Sequence, residues 1–192
     1  VFYVKTTDGG QTWSTPIKVN NEAGTRVLQG LGVWFDKDTP TQTGTKIMIA
    51  WYDRSDPNNG LLLYKFLDTS NDSLSAQVTA GTSISGNTAV YPCRAKDGTL
   101  YILANPTSLF MKSVDEGVNW TQRTSPTMTT PVSPNSFLPG FFTDQKDMML
   151  VAAEAETGGG YAMRHYDDSA NAWVTTIIQN AGGTQVNRIN SA

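Results

Sequence analysis

The stretch Thr6-Thr7-Asp8-Gly9-Gly10-Gln11-Thr12-Trp13 recurs near the middle of the chain as Ser113-Val114-Asp115-Glu116-Gly117-Val118-Asn119-Trp120. Both copies have the form Ser/Thr-x-Asp-x-Gly-x-x-Trp. An Asp carboxylate can accept backbone N–H bonds two residues on, and a Gly supplies the positive φ of a tight hairpin. A Trp buries a large ring while its indole N–H finds an acceptor. Each copy therefore predicts a stabilised β-hairpin with structural Asp, Gly and Trp residues, namely Asp8, Gly10, Trp13, Asp115, Gly117 and Trp120.

Two weaker copies extend the repeat. Residues 166–173 keep the spacing between Asp168 and Trp173 but have Ala170 in the place of the Gly, and residues 67–74 have Leu74 in the place of the Trp. The last positions of the four copies are 13, 74, 120 and 173, so they are separated by 61, 46 and 53 residues. A period near 50 is typical of four-stranded propeller blades.

Strand-like runs flank every copy, and clusters of Pro, Gly, Asn and Asp separate them. These runs are Val1–Thr6, Pro16–Val19, Leu31–Phe35, Lys46–Tyr52, Leu61–Leu67, Leu74–Thr79, Ala89–Arg94, Thr99–Ala104, Ser108–Lys112, Trp120–Arg123, Ser136–Phe142, Met148–Ala153, Tyr161–Tyr166, Trp173–Gln179 and Thr184–Ile189. No segment has a helical period. We expect an all-β protein with antiparallel four-stranded blades over approximately 1–27, 28–86, 87–133 and 134–182, forming one domain over 1–192.

The strand count leaves the ring incomplete. The last run, 184–189, lies where the first strand of a further blade would begin, and an open row of blades exposes strand edges. We therefore expect an incomplete part of a larger ring of six or seven blades. A small four-bladed ring, or a ring completed by a partner chain, are the alternatives.

Composition excludes several classes of protein. The 192 residues carry 14 Lys and Arg against 17 Asp and Glu, a formal net charge of −3, which argues against a nucleic-acid-binding surface. A hydrophobic content of 39% is enough for a packed core. The longest apolar runs, 47–52 and 148–153, are too short to span a membrane. The single Cys93 excludes an intramolecular disulfide.

The two strong copies resemble the Asp-box of the bacterial neuraminidase repeat, which occurs in sialidases and other sialidase-like β-propellers. The segment 46–54 is also similar to the second strand of a blade in these proteins. The resemblance implies a β-propeller at an extracellular, cell-surface or virion-surface location. It does not distinguish enzymes from lectin-like or structural propellers, since all of these carry Asp-boxes.

The resemblance also implies where a site would lie. In sialidases the active site is on the face opposite the box hairpins, where three arginines bind the sugar carboxylate bidentately. A Tyr activated by a Glu acts there as the nucleophile, and an Asp acts as the acid/base. The candidate catalytic residues carried over to this chain are Asp53, Glu154 and Glu156. The candidate ligand-binding residues are Arg26, Trp51, Tyr52, Arg54, Arg94 and Arg188. The Phe/Tyr-Arg-Ile-Pro signature of these enzymes is not present, because Tyr91-Pro-Cys-Arg94 differs from it.

The segment Trp51-Tyr52-Asp53-Arg54 has two interpretations. It could offer a sugar-stacking aromatic ring beside a charged pair. It could also be a core Trp at a strand end, with Asp53 and Arg54 ordering the following loop, and we favour this second interpretation.

We expect no metal or cofactor. The lone His165 has no second His or Cys nearby in sequence for a zinc site. Residues 53–59 and 68–72 contain oxygens that could bind Ca²⁺, but without the EF-hand Gly and Glu, so turn formation is the simpler explanation.

Three functions remain open. The first is a module that binds a glycan or a protein partner. The second is a fragment of an exo-sialidase-like glycoside hydrolase, and the third is a structural array of blades joined to further blades or to a partner chain.

Overall fold

The computed structural model describes residues 1–22, 28–35, 44–55, 59–84, 89–95, 97–105, 109–125, 137–142, 148–152 and 161–178. These residues form β-strands and turns and contain no helix. The strands are β1 (Phe2–Tyr3), β2 (Ile17–Lys18), β3 (Leu28–Phe35), β4 (Lys46–Asp53), β5 (Gly60–Asp68), β6 (Ser73–Leu74), β7 (Val78–Ile84), β8 (Ala89–Arg94), β9 (Leu100–Asn105), β10 (Leu109–Ser113), β11 (Thr121–Arg123), β12 (Phe137–Phe142), β13 (Met148–Ala152), β14 (Tyr161–Asp167) and β15 (Ala172–Ile178). The predicted all-β class is therefore confirmed.

The strands form four antiparallel sheets in chain order. Sheet 1 contains β1 and β2, sheet 2 contains β3 to β7, sheet 3 contains β8 to β11, and sheet 4 contains β12 to β15. In sheets 3 and 4 each strand pairs with its neighbour in sequence, so both are simple meanders. Because consecutive strands are joined by hairpins, the end of each sheet that carries the third-to-fourth hairpin also carries the first-to-second connection.

Sheet 2 differs from the expected pattern in its last strand. The run predicted at 74–79 is divided into β6 and β7, which both pair with β5. The division falls at Ser75, whose hydroxyl accepts a hydrogen bond from the Phe66 backbone N–H at 2.9 Å. A side chain thus replaces a backbone acceptor at this point, and the register of β7 on β5 then shifts twice. The predicted strand at 184–189 lies outside the described residues.

Successive sheets pack face to face. Val19, Trp51 and Leu67 fill the space between sheets 1 and 2, with Val1 and Tyr3 packed against them. Met48, Tyr64, Ile102 and Met111 belong to the core between sheets 2 and 3. The core between sheets 3 and 4 contains Cys93, Tyr101, Phe110 and Tyr166. Each middle sheet is therefore covered on both faces.

The first strands of successive sheets lie next to each other. Strand β3 contacts β8, and β8 contacts β12. The approach of β3 to β8 requires Gly32, because a Cβ at this position would lie 2.0 Å from the Val90 carbonyl oxygen. The described residues include no helix that is both long and apolar enough to cross a membrane.

Candidate functional site

The two strong boxes have the same hydrogen bonds. Asp8 Oδ1 accepts the Thr12 backbone N–H at 3.0 Å, and Asp115 Oδ1 accepts the Asn119 N–H at 2.9 Å. The second carboxylate oxygen accepts the side chain of the same residue, at 2.6 Å from Thr12 and 2.7 Å from Asn119. The acceptor role of the Asp is as expected, but the donor lies four residues on rather than two. The carboxylate therefore spans the whole turn.

The first residue of each box completes the network. The Thr6 and Ser113 hydroxyls donate to the Asp Oδ1 atoms at 2.7 and 2.8 Å. The same hydroxyls accept the Gly10 and Gly117 backbone N–H groups at 2.8 and 2.9 Å. Bonds from the Thr12 side chain and backbone lower the pKa of Asp8, and bonds from the Asn119 backbone and side chain lower the pKa of Asp115. The carboxylates act inside the turns as ionised acceptors.

The turns of the strong and weak copies differ in backbone conformation. Gly9 and Gly10 have φ of 71° and 93°, and Glu116 and Gly117 have φ of 57° and 87°. The weaker copies instead place a single residue in the left-handed region, Asp72 at 59° and Asn171 at 49°. Asn and Asp tolerate this region better than most residues, so a turn with one such position does not need Gly.

Asp168 does not play the role that its spacing from Trp173 predicts. Its carboxylate accepts Lys112 Nζ of sheet 3 at 2.7 and 2.5 Å, while its backbone carbonyl accepts an Arg123 N–H at 2.8 Å. Asp167 binds within the turn instead, since its Oδ1 accepts the Ala170 N–H at 3.0 Å. Asp168 is thus a link between sheets and not a box carboxylate.

The three box tryptophans have different environments. The ring of Trp120 contacts the ring of Tyr64 of sheet 2 edge-on, with 5.4 Å between the ring centroids. Its indole N–H donates to the Gly117 carbonyl at 3.0 Å. Trp173 lies 5.3 Å from Phe110 of sheet 3, and its N–H donates to the Thr124 carbonyl at 2.7 Å. The expected burial fails for Trp13, which is 61% exposed because no described element covers its face of sheet 1.

The candidate aromatic ligands are in the core. Trp51 and Tyr52 are fully buried on opposite faces of β4, so neither ring can stack on a sugar that approaches from solvent. The expectation of a ligand role for these two residues is therefore corrected. The reason is that β4 is covered on both faces, by sheets 1 and 3.

Asp53 is also a turn residue in this structure. It is buried, and its Oδ1 accepts the Ser55 backbone N–H at 2.9 Å and the Ser55 hydroxyl. This contact orders the chain after β4, as the second interpretation of this segment expects.

The two candidate arginines that the structure describes are not brought together. Arg94 ends β8 and donates to Glu116 in the box of its own sheet, whereas Arg54 follows the opposite end of β4. Arg26, Arg188, Glu154 and Glu156 lie outside the described residues. The described residues therefore assemble no carboxylate-binding arginine cluster. They also contain no group of three or more His, Cys, Asp and Glu side chains that could hold a metal ion.

The described structure contains an open surface groove beside one of the box tryptophans. It lies between sheets 2 and 3, with a volume of about 350 Å³, beside the indole of Trp120. The described residues that line it are Thr79, Ala80, Gly81, Thr82, Leu109, Met111, Val118, Asn119, Trp120 and Gln122. None of them is charged. The motif predicts only a hairpin role for Trp120 and gives no signal for this groove, because the groove forms between two sheets.

No protein-family model matches the chain, and the search of curated proteins found no significant match.

Proposed function

We propose that the chain is a portion of a sialidase-like β-propeller that binds a carbohydrate at an extracellular, cell or virion surface. Two features support the propeller architecture. Each copy of the box motif corresponds to one antiparallel sheet. The first strands of three successive sheets also contact one another in order, β3 with β8 and β8 with β12, as strands around a common axis would.

The groove beside Trp120 carries the proposal of carbohydrate binding. A partly buried indole offers an apolar surface to the C–H face of a sugar ring. The amides of Asn119 and Gln122 and the hydroxyls of Thr79 and Thr82 can both donate and accept hydrogen bonds, as sugar hydroxyls do. This combination of an apolar wall and a few polar groups is typical of small-molecule sites.

The charge of the groove narrows the ligand class. The absence of Lys and Arg among its described lining residues favours a neutral saccharide over a sialylated one. Among the described lining residues there is no arginine to pair with the carboxylate of an anionic sugar.

The experiment is a titration of the folded chain with neutral and sialylated oligosaccharides, followed by calorimetry. We expect Gln122→Ala to weaken binding of a neutral oligosaccharide by about fivefold, the usual effect of losing one hydrogen bond. Thr121→Ala is the matched control, because Thr121 is also exposed on the same strand but is not among the described residues that line the groove. Equal losses in the two variants, or no binding of any saccharide by the wild type, would reject the proposal.

The same titration separates the alternatives. Shortened oligosaccharides, detected by mass spectrometry, would support the glycoside hydrolase, whose candidate residues Glu154 and Glu156 lie outside the described residues. Binding of a protein partner without any saccharide binding would support an interaction module, and the lack of both would favour a structural array.

A further inference from the structure

The groove beside Trp120 has an apolar floor. Ala80, Leu109 and Met111 line the groove but are only 3%, 9% and 6% exposed, so they lie at its bottom and not at its rim. Gly81 closes this floor against sheet 3, because a Cβ on Gly81 would come within 2.7 Å of the Leu109 Cδ2 atom. A hydroxyl group placed on such a surface loses its hydrogen bonds to water without gaining a partner. The floor therefore suits a methyl group better than a hydroxyl group.

The side-chain amide of Asn119 has a fixed orientation in the lining of the groove. Its Nδ2 donates to Asp115 Oδ2 at 2.7 Å, and its backbone N–H donates to Asp115 Oδ1 at 2.9 Å. These bonds lower the pKa of Asp115, and an ionised carboxylate only accepts hydrogen bonds, so the Asn119 amide must turn its NH₂ group towards it. The Asn119 Oδ1 atom, on the other side of the amide, can then accept a hydrogen bond from a ligand. The indole N–H of Trp120 is already bonded to the Gly117 carbonyl.

Gln122 places a second amide next to the apolar floor. It pairs with Met111 across strands β10 and β11. Residues directly opposite each other in an antiparallel pair have Cβ atoms about 5 Å apart on the same face of the sheet. The exposed Gln122 amide can both donate and accept hydrogen bonds. One small substituent that carries both a methyl group and an amide can therefore contact the floor and Gln122 together.

We propose that the groove binds an N-acetylated amino sugar through its acetamido group. This inference rests on the proposed carbohydrate binding. The acetamido group combines a methyl group for the floor with an N–H donor for Asn119 and a carbonyl acceptor for Gln122. An unsubstituted hexose has a hydroxyl group at this position and leaves the floor without an apolar partner. A deoxy sugar brings a methyl group but no amide, so it leaves both side-chain amides without this partner.

The test compares two neutral ligands that differ only in this substituent, the trimer of N-acetylglucosamine and the trimer of glucose with the same linkage. Calorimetric titration of the folded chain measures both affinities. We expect the N-acetylated trimer to bind at least about tenfold more tightly, the combined effect of burying one methyl group and forming one additional hydrogen bond. Equal affinities, or tighter binding of the glucose trimer, would overturn this inference and leave the proposed function intact. No binding of either trimer would reject both.

A second comparison tests the contact with Gln122. Gln122→Ala should weaken binding of the N-acetylated trimer by about fivefold, the usual effect of losing one hydrogen bond, and leave the affinity for the glucose trimer nearly unchanged. Gln122 is exposed, so the variant should keep the melting temperature of the wild type. Thr121→Ala is again the matched control and should change neither affinity. Equal weakening of both trimers by Gln122→Ala would overturn the inference, because Gln122 would then not recognise the acetamido group.

Discussion

Glu116 occupies a backbone conformation that glycine adopts most easily. Its φ is 57°, and the equivalent position of the first box is Gly9 with φ 71°. A side chain in the left-handed region costs about 1–2 kcal/mol relative to Gly. The Glu116 carboxylate receives a hydrogen bond from Arg94, which partly offsets this strain.

The strain can be measured by comparing Glu116→Gly with Glu116→Ala. Both variants lose the contact with Arg94, so their difference reports the backbone alone. We expect the Gly variant to have the higher free energy of unfolding, by about 1 kcal/mol, in urea titrations. At Val114, which has no positive φ, the order of the Gly and Ala variants should be reversed. A Glu116→Ala variant as stable as Glu116→Gly would mean that this turn relaxes to another conformation.

Asp115 makes the free energy of unfolding depend on pH. Hydrogen bonds from Asn119 and Ser113 lower its pKa in the folded protein. The folded state therefore binds fewer protons than the unfolded state as the pH falls, and the stabilisation present above the unfolded pKa is lost as pH falls through the folded pKa. We expect Asp115→Asn to reduce the difference in unfolding free energy between pH 7 and pH 3, measured by urea titration at each pH. An unchanged pH dependence would show that this carboxylate is not held by its turn in solution.

The role of Asp168 could not be predicted from the motif. Its separation in sequence from Trp173 is the same as that of Asp115 from Trp120. Two adjacent carboxylates compete for the turn, however, and Asp167 accepts the Ala170 N–H. The neighbouring sheet supplies Lys112 to the other carboxylate. Only the tertiary arrangement decides which of the two Asp residues faces the lysine, so spacing alone could not.

At the scale of the elements, one type of joint recurs between sheets. In sheets 1, 2 and 3, the strand that precedes the box, or the residues just after it, provides a polar group that contacts the box turn of the next sheet. Lys5 and Tyr3 donate to Asp72, Tyr64 donates to the Gly117 carbonyl, and Lys112 donates to Asp168. The partners differ in chemistry while the location is the same. The repeat therefore preserves the geometry of the joint rather than a particular pair of residues.

The tryptophans allow the apolar part of this joint to be tested. Trp120→Ala removes a ring packed on Tyr64, and we expect it to lower the free energy of unfolding by about 3 kcal/mol. Trp13→Ala serves as its control, because the equivalent ring is 61% exposed and its loss should cost less than about 1 kcal/mol. Thermal and urea unfolding at low protein concentration provide both values. Equal losses in the two variants would mean that Trp13 is buried in solution.

Most strands could be predicted, because turn residues separate short runs rich in β-branched and aromatic residues. The division between β6 and β7 could not, since it depends on the Ser75 hydroxyl, instead of a backbone carbonyl, accepting the Phe66 N–H of β5. The alternation of hydrophobic residues does not indicate where a side-chain oxygen replaces a backbone carbonyl as the hydrogen-bond acceptor. Such irregularities appear only when the pairing partner is known.

At the scale of the whole molecule, the candidate site was the least predictable feature. Trp51 and Tyr52 stand at a strand end in sequence, which is where a binding aromatic would also stand. Their burial follows from the packing of sheets 1 and 3 on the two faces of β4, and these sheets are distant in sequence. The groove beside Trp120 likewise forms between two sheets. Sites made by packing of separate sheets are not readable from any single segment.

We also expect local unfolding to begin at sheet 1. Sheet 1 has two strands of two residues each, and no described element covers one of its faces. Polar contacts link it to sheet 2, among them those of Lys5 and Tyr3 with Asp72 and that of the Asn21 backbone N–H with Gln77. Strands β4 and β9 lie in the middle of their sheets and are almost entirely buried. Regions with few buried contacts open before global unfolding.

Hydrogen exchange followed by mass spectrometry measures this order directly. At low protein concentration we expect the amides of Ser14 and Val19, which are bonded to the Lys5 and Val1 carbonyls, to open with a free energy at least about 1 kcal/mol below that of β4 and β9. The peptide covering β9 is the internal control, because its buried strand reports global unfolding. Equal protection of sheet 1 and β9 would mean that all sheets unfold as one unit.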